Sequence, residues 1–423
     1  MSQTEATALL SRLGADHLPP GLDLRQVDDG ERIDRETVAG AADLLKRSRA
    51  ESVEAAFAGD IYEIKPIKDA IDWGKLFGIN CYGDECLDLA LFAAKIEEKL
   101  DGKVTKYAYR VRSGLAAFEK AKGPKRTAAD PPASSFSIHD RLNPASVTKT
   151  VTAVALLRAL EHNGVSIHAS IAGFLPSYWN VHPTIQTITF QQVLSHTSGF
   201  RTSVADGYEF HNLEKLIETG IKLSDKVSQY ENVNYALARI LLCYVDGYSI
   251  NWPWFDAFGT SIYFVNYLND ELFDPVGISN VSFTPEVGGS LFYPFPAGNK
   301  HGTAYGNWSL REGSAGIQLS VRELSEFLMR MWTPGTYLSA GMLAELQQWG
   351  MGMGAYGSPG EFVDGIPYGK GGYFPGSWNG GAELSSVIIR FASGVEAVLV
   401  INGEVNAKAI VLDAYKAAWK PKS

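Results

Sequence analysis

The stretch that most constrains the fold is a long and almost wholly apolar helix pattern. Residues 143–164 read NPASVTKTVTAVALLRALEHNG, and the middle of this stretch is apolar on most sides of a helix. Asn143 is a good N-cap, Pro144 suits the first helical position and Gly164 suits a C-terminal stop. A helix that is apolar all round must be surrounded by other elements, so the sequence predicts a central, buried helix.

Two polar residues interrupt the start of this helix. Ser146 and Lys149 are three positions apart, which puts them on one face, one turn apart. One interpretation is structural, with Ser146 helping to cap the helix and Lys149 reaching water along its stem. The other is chemical, because a lysine whose pKa is lowered by burial can accept the proton of a serine hydroxyl.

Charge and composition exclude several classes of function. The chain has 423 residues, 45% of them hydrophobic and 20% charged, as in ordinary globular proteins. Its formal net charge of −9 argues against a nucleic-acid surface, which needs clustered Lys and Arg. No run approaches the roughly 18 apolar residues of a membrane span.

The N-terminus and the cysteines predict a cytoplasmic protein. The start of the chain lacks the basic head and apolar stretch of a secretory signal. Three cysteines, Cys81, Cys86 and Cys243, do not form an even disulfide framework, and Cys81 and Cys86 are too isolated to indicate a zinc site. No cofactor and no metal are predicted, since the eight histidines include no His-Glu-x-x-His or other close cluster.

The order of elements predicts an α/β (α+β) fold, an antiparallel β-sheet flanked by helices plus an all-α lobe. The pattern favours a helix over 85–100, a strand over 103–114, a hairpin of two strands over 382–403 and a closing helix after it. Residues 1–84 are predicted to be an N-terminal extension and 85–423 a catalytic domain. Within that domain the α/β part covers about 85–145 and 290–423, and the helical lobe about 146–289.

Two further motifs accompany the Ser-x-x-Lys pair, which occurs once in the chain. QQVLSHTSGF covers residues 191–200, and YENVNYALARIL covers 230–241. In their order, with a Lys-x-Gly near the C-terminus, these motifs resemble the serine β-lactamase and penicillin-binding protein superfamily. The resemblance is closest to its class C β-lactamase and family VIII carboxylesterase branch, and it implies a β-lactamase/transpeptidase-like fold.

The resemblance implies roles for residues that match the motifs. Ser146 would be the acyl-accepting nucleophile, Lys149 its base and Tyr230 a second proton-transfer group whose phenolate needs neighbouring cations. Asn232 would offer its amide to a substrate carbonyl, although it also suits a helix start. His196 is expected to be a hydrogen-bonded histidine of a structural turn.

The third motif has two candidates, Lys300-His301-Gly302 and Lys370-Gly371-Gly372. Lys370 is favoured because the strand hairpin follows it directly. The backbone N–H groups of Tyr373 and Ser146 would then form the paired donors that acyl transfer needs. The predicted substrate-binding residues are therefore Asn232, Lys370, Gly371, Gly372 and Tyr373.

The implied function is a serine hydrolase that cleaves an ester or amide through acyl-Ser146. Gly371 stands where the superfamily usually has a Thr or Ser hydroxyl, and Glu231 adds a carboxylate beside Tyr230, so a neutral or amine-bearing substrate is favoured over a lactam. The alternatives are an acyltransferase, a β-lactamase or D-amino-acid peptidase, and a non-catalytic ligand-binding relative. The expected partners are a small-molecule substrate and, left open, further copies of the chain.

Overall fold

The computed structural model describes residues 80–201, 208–249, 253, 256–309, 311–378 and 380–422. Residues 1–79 of the predicted extension lie outside this set. The strand β1 (Asn80–Tyr82) pairs with β2 (Glu85–Leu87) across the predicted boundary at residue 84. The division into extension and catalytic domain stays a prediction.

The centre of the fold is a six-stranded antiparallel sheet, which confirms the predicted fold class. In spatial order its strands are β4 (Ala116–Lys122), β3 (Lys106–Ser113), β10 (Glu396–Asn402), β9 (Leu384–Arg390), β8 (Tyr368–Phe374) and β7 (Gly354–Ala355). Smaller sheets join β1 and β2 to β11 (Trp419–Pro421), and β5 (Pro124–Arg126) to β6 (Ser134–Ser135). The predicted hairpin over 382–403 is confirmed as β9 and β10.

Helices cover both faces of this sheet and form the lobe. They are α1 (Leu89–Leu100), α2 (Thr148–His162), α3 (Phe190–Leu194), α4 (Phe210–Thr219), α5 (Asn232–Val245), α6 (Asp256–Tyr267), α7 (Val321–Met331), α8 (Ala340–Trp349) and α9 (Ala407–Lys416). Short 3₁₀ turns lie between them, and a π-helical turn over Leu268–Phe273 follows α6. None of the helices in the described ranges is long and apolar enough to cross a membrane.

Alternating residues divide the core into two layers. In β10, Ala397 and Leu399 face α1 and α9, whereas Val398 and Val400 face the larger core that contains α2 and α5. This alternation follows from the two-residue period of a strand. Because β7 pairs only with Tyr368 and Gly369, the rest of β8 is an edge strand of the sheet.

The predicted helix over 85–100 is wrong at its start. Residues Glu85–Leu87 form β2, and the helix begins at Leu89 after Asp88, whose side chain accepts the Leu91 N–H. Pairing with β1 and β11 overrides the local helical period here.

The same hairpin joins Cys81 to Cys86 in a disulfide, which the odd cysteine count did not predict. The cytoplasmic location stays a prediction.

The central helix is buried as predicted, but it begins later than predicted. A 3₁₀ turn covers Ala145–Val147, and α2 starts at Thr148. Asn143 does not cap α2, because its Oδ1 accepts the N–H groups of Ala145 and of Gly316, far along the chain. Ala145 has a φ of 52°, a left-handed conformation that these bonds hold in place.

Candidate active site

A cleft of about 820 Å³ runs along the open edge of β8, and Ser146 lies on its wall. The predicted residues that line it are Ser146, Tyr230, Asn232, Lys370, Gly371, Gly372 and Tyr373. Lys149 lies behind Ser146, with its side chain fully buried. The structure thus brings together residues from α2, α5 and β8 that are more than 200 positions apart in the sequence.

The Ser146 hydroxyl lies within hydrogen-bond distance of two proton-transfer groups. Its Oγ is 3.1 Å from Lys149 Nζ and accepts the Tyr230 hydroxyl at 2.8 Å. The Lys149 amine also donates to the Ser314 carbonyl oxygen at 2.6 Å. A serine in such contacts can lose its proton to the amine without any movement of the backbone.

The lysines of the site hold their protons weakly. Burial, with a smaller contribution from the positive charge of Lys370, puts the pKa of Lys149 well below its usual value. Burial also lowers the pKa of Lys370 to about 8. The Tyr230 ring lies between the two amines, at 5.0 Å from Lys149 Nζ and 4.6 Å from Lys370 Nζ.

The surroundings of the Tyr230 hydroxyl favour its protonated form. Although 52% of the residue is exposed, its hydroxyl lies inside the cleft against Ser146. Desolvation there raises the pKa of Tyr230 to about 12, and the hydrogen bond to Ser146 only partly opposes this rise. Tyr230 therefore keeps its proton at neutral pH, whereas Lys149 holds its proton less tightly than an ordinary lysine.

The backbone of β8 supplies an N–H group towards the cleft. The Tyr356 N–H donates to the Pro367 carbonyl, just before β8. The backbone polar groups that point towards β7 are therefore those of Pro367 and Gly369. Because N–H groups along a strand alternate between its two edges, those of Gly371 and Tyr373 face the same way, beyond the end of β7. The Tyr373 N–H therefore points to the open edge on which Ser146 lies.

Gly372 permits the close approach of β8 to the Ser146 turn. A Cβ at this position would lie 2.2 Å from the Pro144 carbonyl oxygen and 3.0 Å from the Ser146 nitrogen. A Cβ at Gly371 would meet nothing nearer than 3.7 Å. Only glycine at position 372 allows the present distance between the strand and the turn.

We expect Gly372→Ala to lower the acylation rate by on the order of 10²-fold, because it forces the Ser146 turn away from β8. Gly173→Ala is the control, because a Cβ there would meet nothing within 4 Å and the residue lies outside the cleft; it should change the rate less than about threefold. Stopped-flow release of p-nitrophenol from an activated ester measures both variants. Equal rates in the two variants would contradict the close-approach argument.

Other predicted residues take up varied positions. Asn232 donates to the Tyr208 hydroxyl at 3.2 Å and also begins α5. His196 is hydrogen-bonded as expected, since its Nδ1 accepts the Glu231 N–H, and burial lowers its pKa to about 3. The Glu231 carboxylate accepts the Gln229 amide at 2.8 Å. Of the two candidates for the third motif, Lys370 lines the cleft, whereas Lys300 lies on an exposed loop outside it.

The sequence did not indicate several cleft residues. These are Tyr356, Glu383, Glu404, Asn406 and Lys408, which come from loops and from the start of α9. No local pattern marks them, because they meet only through the sheet. The Ser314 carbonyl is a backbone group, and nothing in the residue type could reveal it. Among the described residues, no group of three or more His, Cys, Asp or Glu side chains could hold a metal ion.

Comparisons with known proteins agree on this architecture. The beta-lactamase family model matches residues 101–418. A beta-lactamase/D-alanine carboxypeptidase from Yersinia pestis superposes with a TM-score of 0.59 at 14% identity, over 78% of this chain and 98% of that one. A D-stereospecific amidohydrolase from Streptomyces sp. gives 0.56 at 18%, over 78% and 98%. A class C beta-lactamase from Rhodobacter sphaeroides gives 0.57 at 15%, over 77% and 97%.

Proposed function

The chain belongs to the beta-lactamase family, and from this premise we propose that it is a serine hydrolase that cleaves esters or amides through an acyl-Ser146 intermediate. One observation carries the proposal. The Ser146 Oγ lies 3.1 Å from an amine of strongly lowered pKa and 2.8 Å from a protonated phenol. A nucleophile, a base and an acid therefore meet at one atom.

All three groups take part in acylation. Ser146 Oγ attacks the substrate carbonyl carbon while its proton passes to the neutral Lys149 amine. The carbonyl oxygen becomes an oxyanion, which accepts hydrogen bonds from the backbone N–H groups of Ser146 and Tyr373. As the bond to the leaving group breaks, Tyr230 gives its proton to the leaving oxygen or nitrogen. The Lys149 ammonium then returns a proton to the Tyr230 phenolate, so the net transfer is from serine to leaving group.

Deacylation reverses these roles with water. A water molecule attacks the ester carbonyl and gives one proton to Lys149. The restored oxyanion collapses, the bond to Ser146 breaks, and the serine oxygen recovers the proton. The carboxylic acid leaves, and the site returns to its starting protonation state without any cofactor.

The cleft supports an acyl group that is neutral or carries an amine. Gly371 offers no hydroxyl for a substrate carboxylate. Glu383 accepts the Tyr373 hydroxyl at 3.1 Å. Desolvation, this hydrogen bond and the charges of Glu383 and Glu404 raise the pKa of Tyr373, so both carboxylates lie on that side of the cleft. An ammonium group on the acyl side would be attracted by them.

The test is intact-mass detection of an acyl-enzyme. The protein is mixed with p-nitrophenyl esters of neutral and amine-bearing acids, with D-amino-acid amides and with β-lactams. We expect a mass increase equal to one acyl group on Ser146 for at least one ester, and a larger acylated fraction of the protein with amine-bearing acids than with their N-acetylated forms. No adduct with any member of the panel would favour a non-catalytic binding protein.

We expect kcat/KM to fall at alkaline pH because Lys370 loses its charge there. Below its pKa of about 8 the side chain is charged and stabilises the transient Tyr230 phenolate 4.6 Å away, measured to the ring centre. Above that pH the charge is lost, so kcat/KM should fall as pH rises through about 8. In Lys370→Arg, which stays charged, this fall should move to higher pH. A fall that does not move would be assigned to another group.

A further inference from the structure

The segment 312–316 is hydrogen-bonded to, and closely packed against, the helices around the proposed site. The Gly313 carbonyl accepts the Thr152 hydroxyl of α2 at 2.8 Å, and the Ser314 carbonyl accepts the Lys149 amine at 2.6 Å. Gly313 has a φ of 99°, and a Cβ there would lie 2.3 Å from the Tyr235 carbonyl oxygen of α5. The segment therefore fits its position only with its present backbone.

A buried ion pair holds the first residue of this segment. Glu312 and Arg239 of α5 are both fully buried, and Arg239 Nη1 lies 2.8 Å from Glu312 Oε2. The Ser261 hydroxyl of α6 donates to the other carboxylate oxygen. Arg239 Nε and Nη2 have no hydrogen-bond partner within the part of the chain that the structure describes. Buried pairs add little net stability compared with apolar residues of the same size, so stability alone does not account for this one.

We propose that Arg239 and Glu312 are positioning residues for the proton transfer from Ser146 to Lys149. A neutral amine has two N–H groups and one lone pair. When the Ser314 carbonyl accepts one N–H, rotation of the amine is restricted, and the lone pair can be held towards Ser146 Oγ. The ion pair fixes Glu312, two residues before that carbonyl, and so fixes the direction of the lone pair.

This inference rests on the proposed function, so the wild-type protein is tested first. Intact mass must show acyl-Ser146 with a p-nitrophenyl ester; its absence would overturn the proposed function and this inference together. Pre-steady-state bursts then separate two quantities. With an ester whose acyl-enzyme hydrolyses far more slowly than it forms, in the variants as well, the burst amplitude counts correctly folded sites, and the burst rate constant, extrapolated to saturating ester, measures acylation in each of them.

For Glu312→Gln we expect the burst rate constant to fall by on the order of 10²-fold, with an unchanged half-saturating ester concentration. The separate variant Arg239→Lys keeps the charge pair and should retain most of the wild-type burst rate constant. Glu271→Gln is the matched control, because Glu271 pairs with Arg158 at the other end of α2, and its rate constant should stay within twofold of the wild type.

A merely structural pair would give a different result. The burst amplitude of Glu312→Gln would then fall while the rate constant per site stayed the same, and this outcome overturns the proposal. If Glu312→Gln does not fold, Ser261→Ala replaces it, since it removes one hydrogen bond to Glu312 and keeps both charges. A rate constant in Ser261→Ala equal to the wild-type value would equally overturn the proposal, and a severalfold fall would support it.

Discussion

Replacing Ser146 with alanine is expected to abolish acyl-enzyme formation and to lower kcat/KM by at least about 10⁴-fold. The variant keeps Lys149, Tyr230 and the backbone donors, but no atom remains to attack the substrate carbonyl. Binding should survive, because the wall of the cleft changes only by one oxygen. The measurement is kcat/KM on the best ester of the panel, with intact mass after each incubation.

Ser385→Ala is a suitable control for this experiment. Ser385 lies on β9, where its hydroxyl accepts the Ala407 N–H at the start of α9. Its loss should weaken a helix cap by about 1 kcal/mol and leave turnover within a few-fold of the wild type. Turnover by Ser146→Ala at the wild-type rate, or an adduct on another side chain, would show that the acyl-serine mechanism is wrong.

Local sequence patterns predicted those elements whose partners are close in the chain. The hairpin of β9 and β10 and the helix α9 form where alternation and helical periodicity indicate them. The start of α2 could not be predicted in this way. Asn143 looks like an N-cap, but its side chain bonds to Gly316 across the fold, and the chain forms a 3₁₀ turn that presents Ser146 instead. Long-range contacts overrode a local preference there.

The candidate site likewise combines features that local patterns predicted with features that depend on the whole fold. Spacing alone placed Ser146 and Lys149 on one face, and motif order identified Tyr230 and Lys370 as their neighbours. Burial, however, is a property of the whole fold, so the sequence could not show that desolvation would raise the pKa of Tyr230 while it lowers that of Lys149. The resemblance already implied Lys149 as the base, and the structure adds the direction in which the pKa of each group shifts.

Lys149→Met is expected to make the protein more stable and almost inactive at the same time. The pKa of Lys149 is well below its unfolded value, so folding releases a proton at any pH between these two values. The unfolded chain binds more protons in this range, and Lys149 therefore costs stability at every pH below its unfolded pKa. Methionine removes this cost but loses the hydrogen bond to Ser314, for a net gain on the order of 1 kcal/mol at pH 7.

The sign of the pH dependence separates this explanation from ordinary packing. As pH rises towards about 10, the unfolded lysine also loses its proton, so the advantage of Lys149→Met should shrink. Urea unfolding at pH values from 6 to 10 measures this trend, and Lys95→Met, at an exposed ion pair of α1, should change stability by less than about 0.5 kcal/mol throughout.

The same variant should lower kcat/KM by about 10²- to 10⁴-fold, the usual contribution of a general base. A lysine kept only for structure would give the opposite pattern, with a loss of stability and activity per folded molecule preserved. A gain in stability that does not vary with pH would mean that Lys149 is not held neutral by burial. Increased stability together with lost acylation is the result that identifies Lys149 as a base retained for chemistry at the expense of the fold.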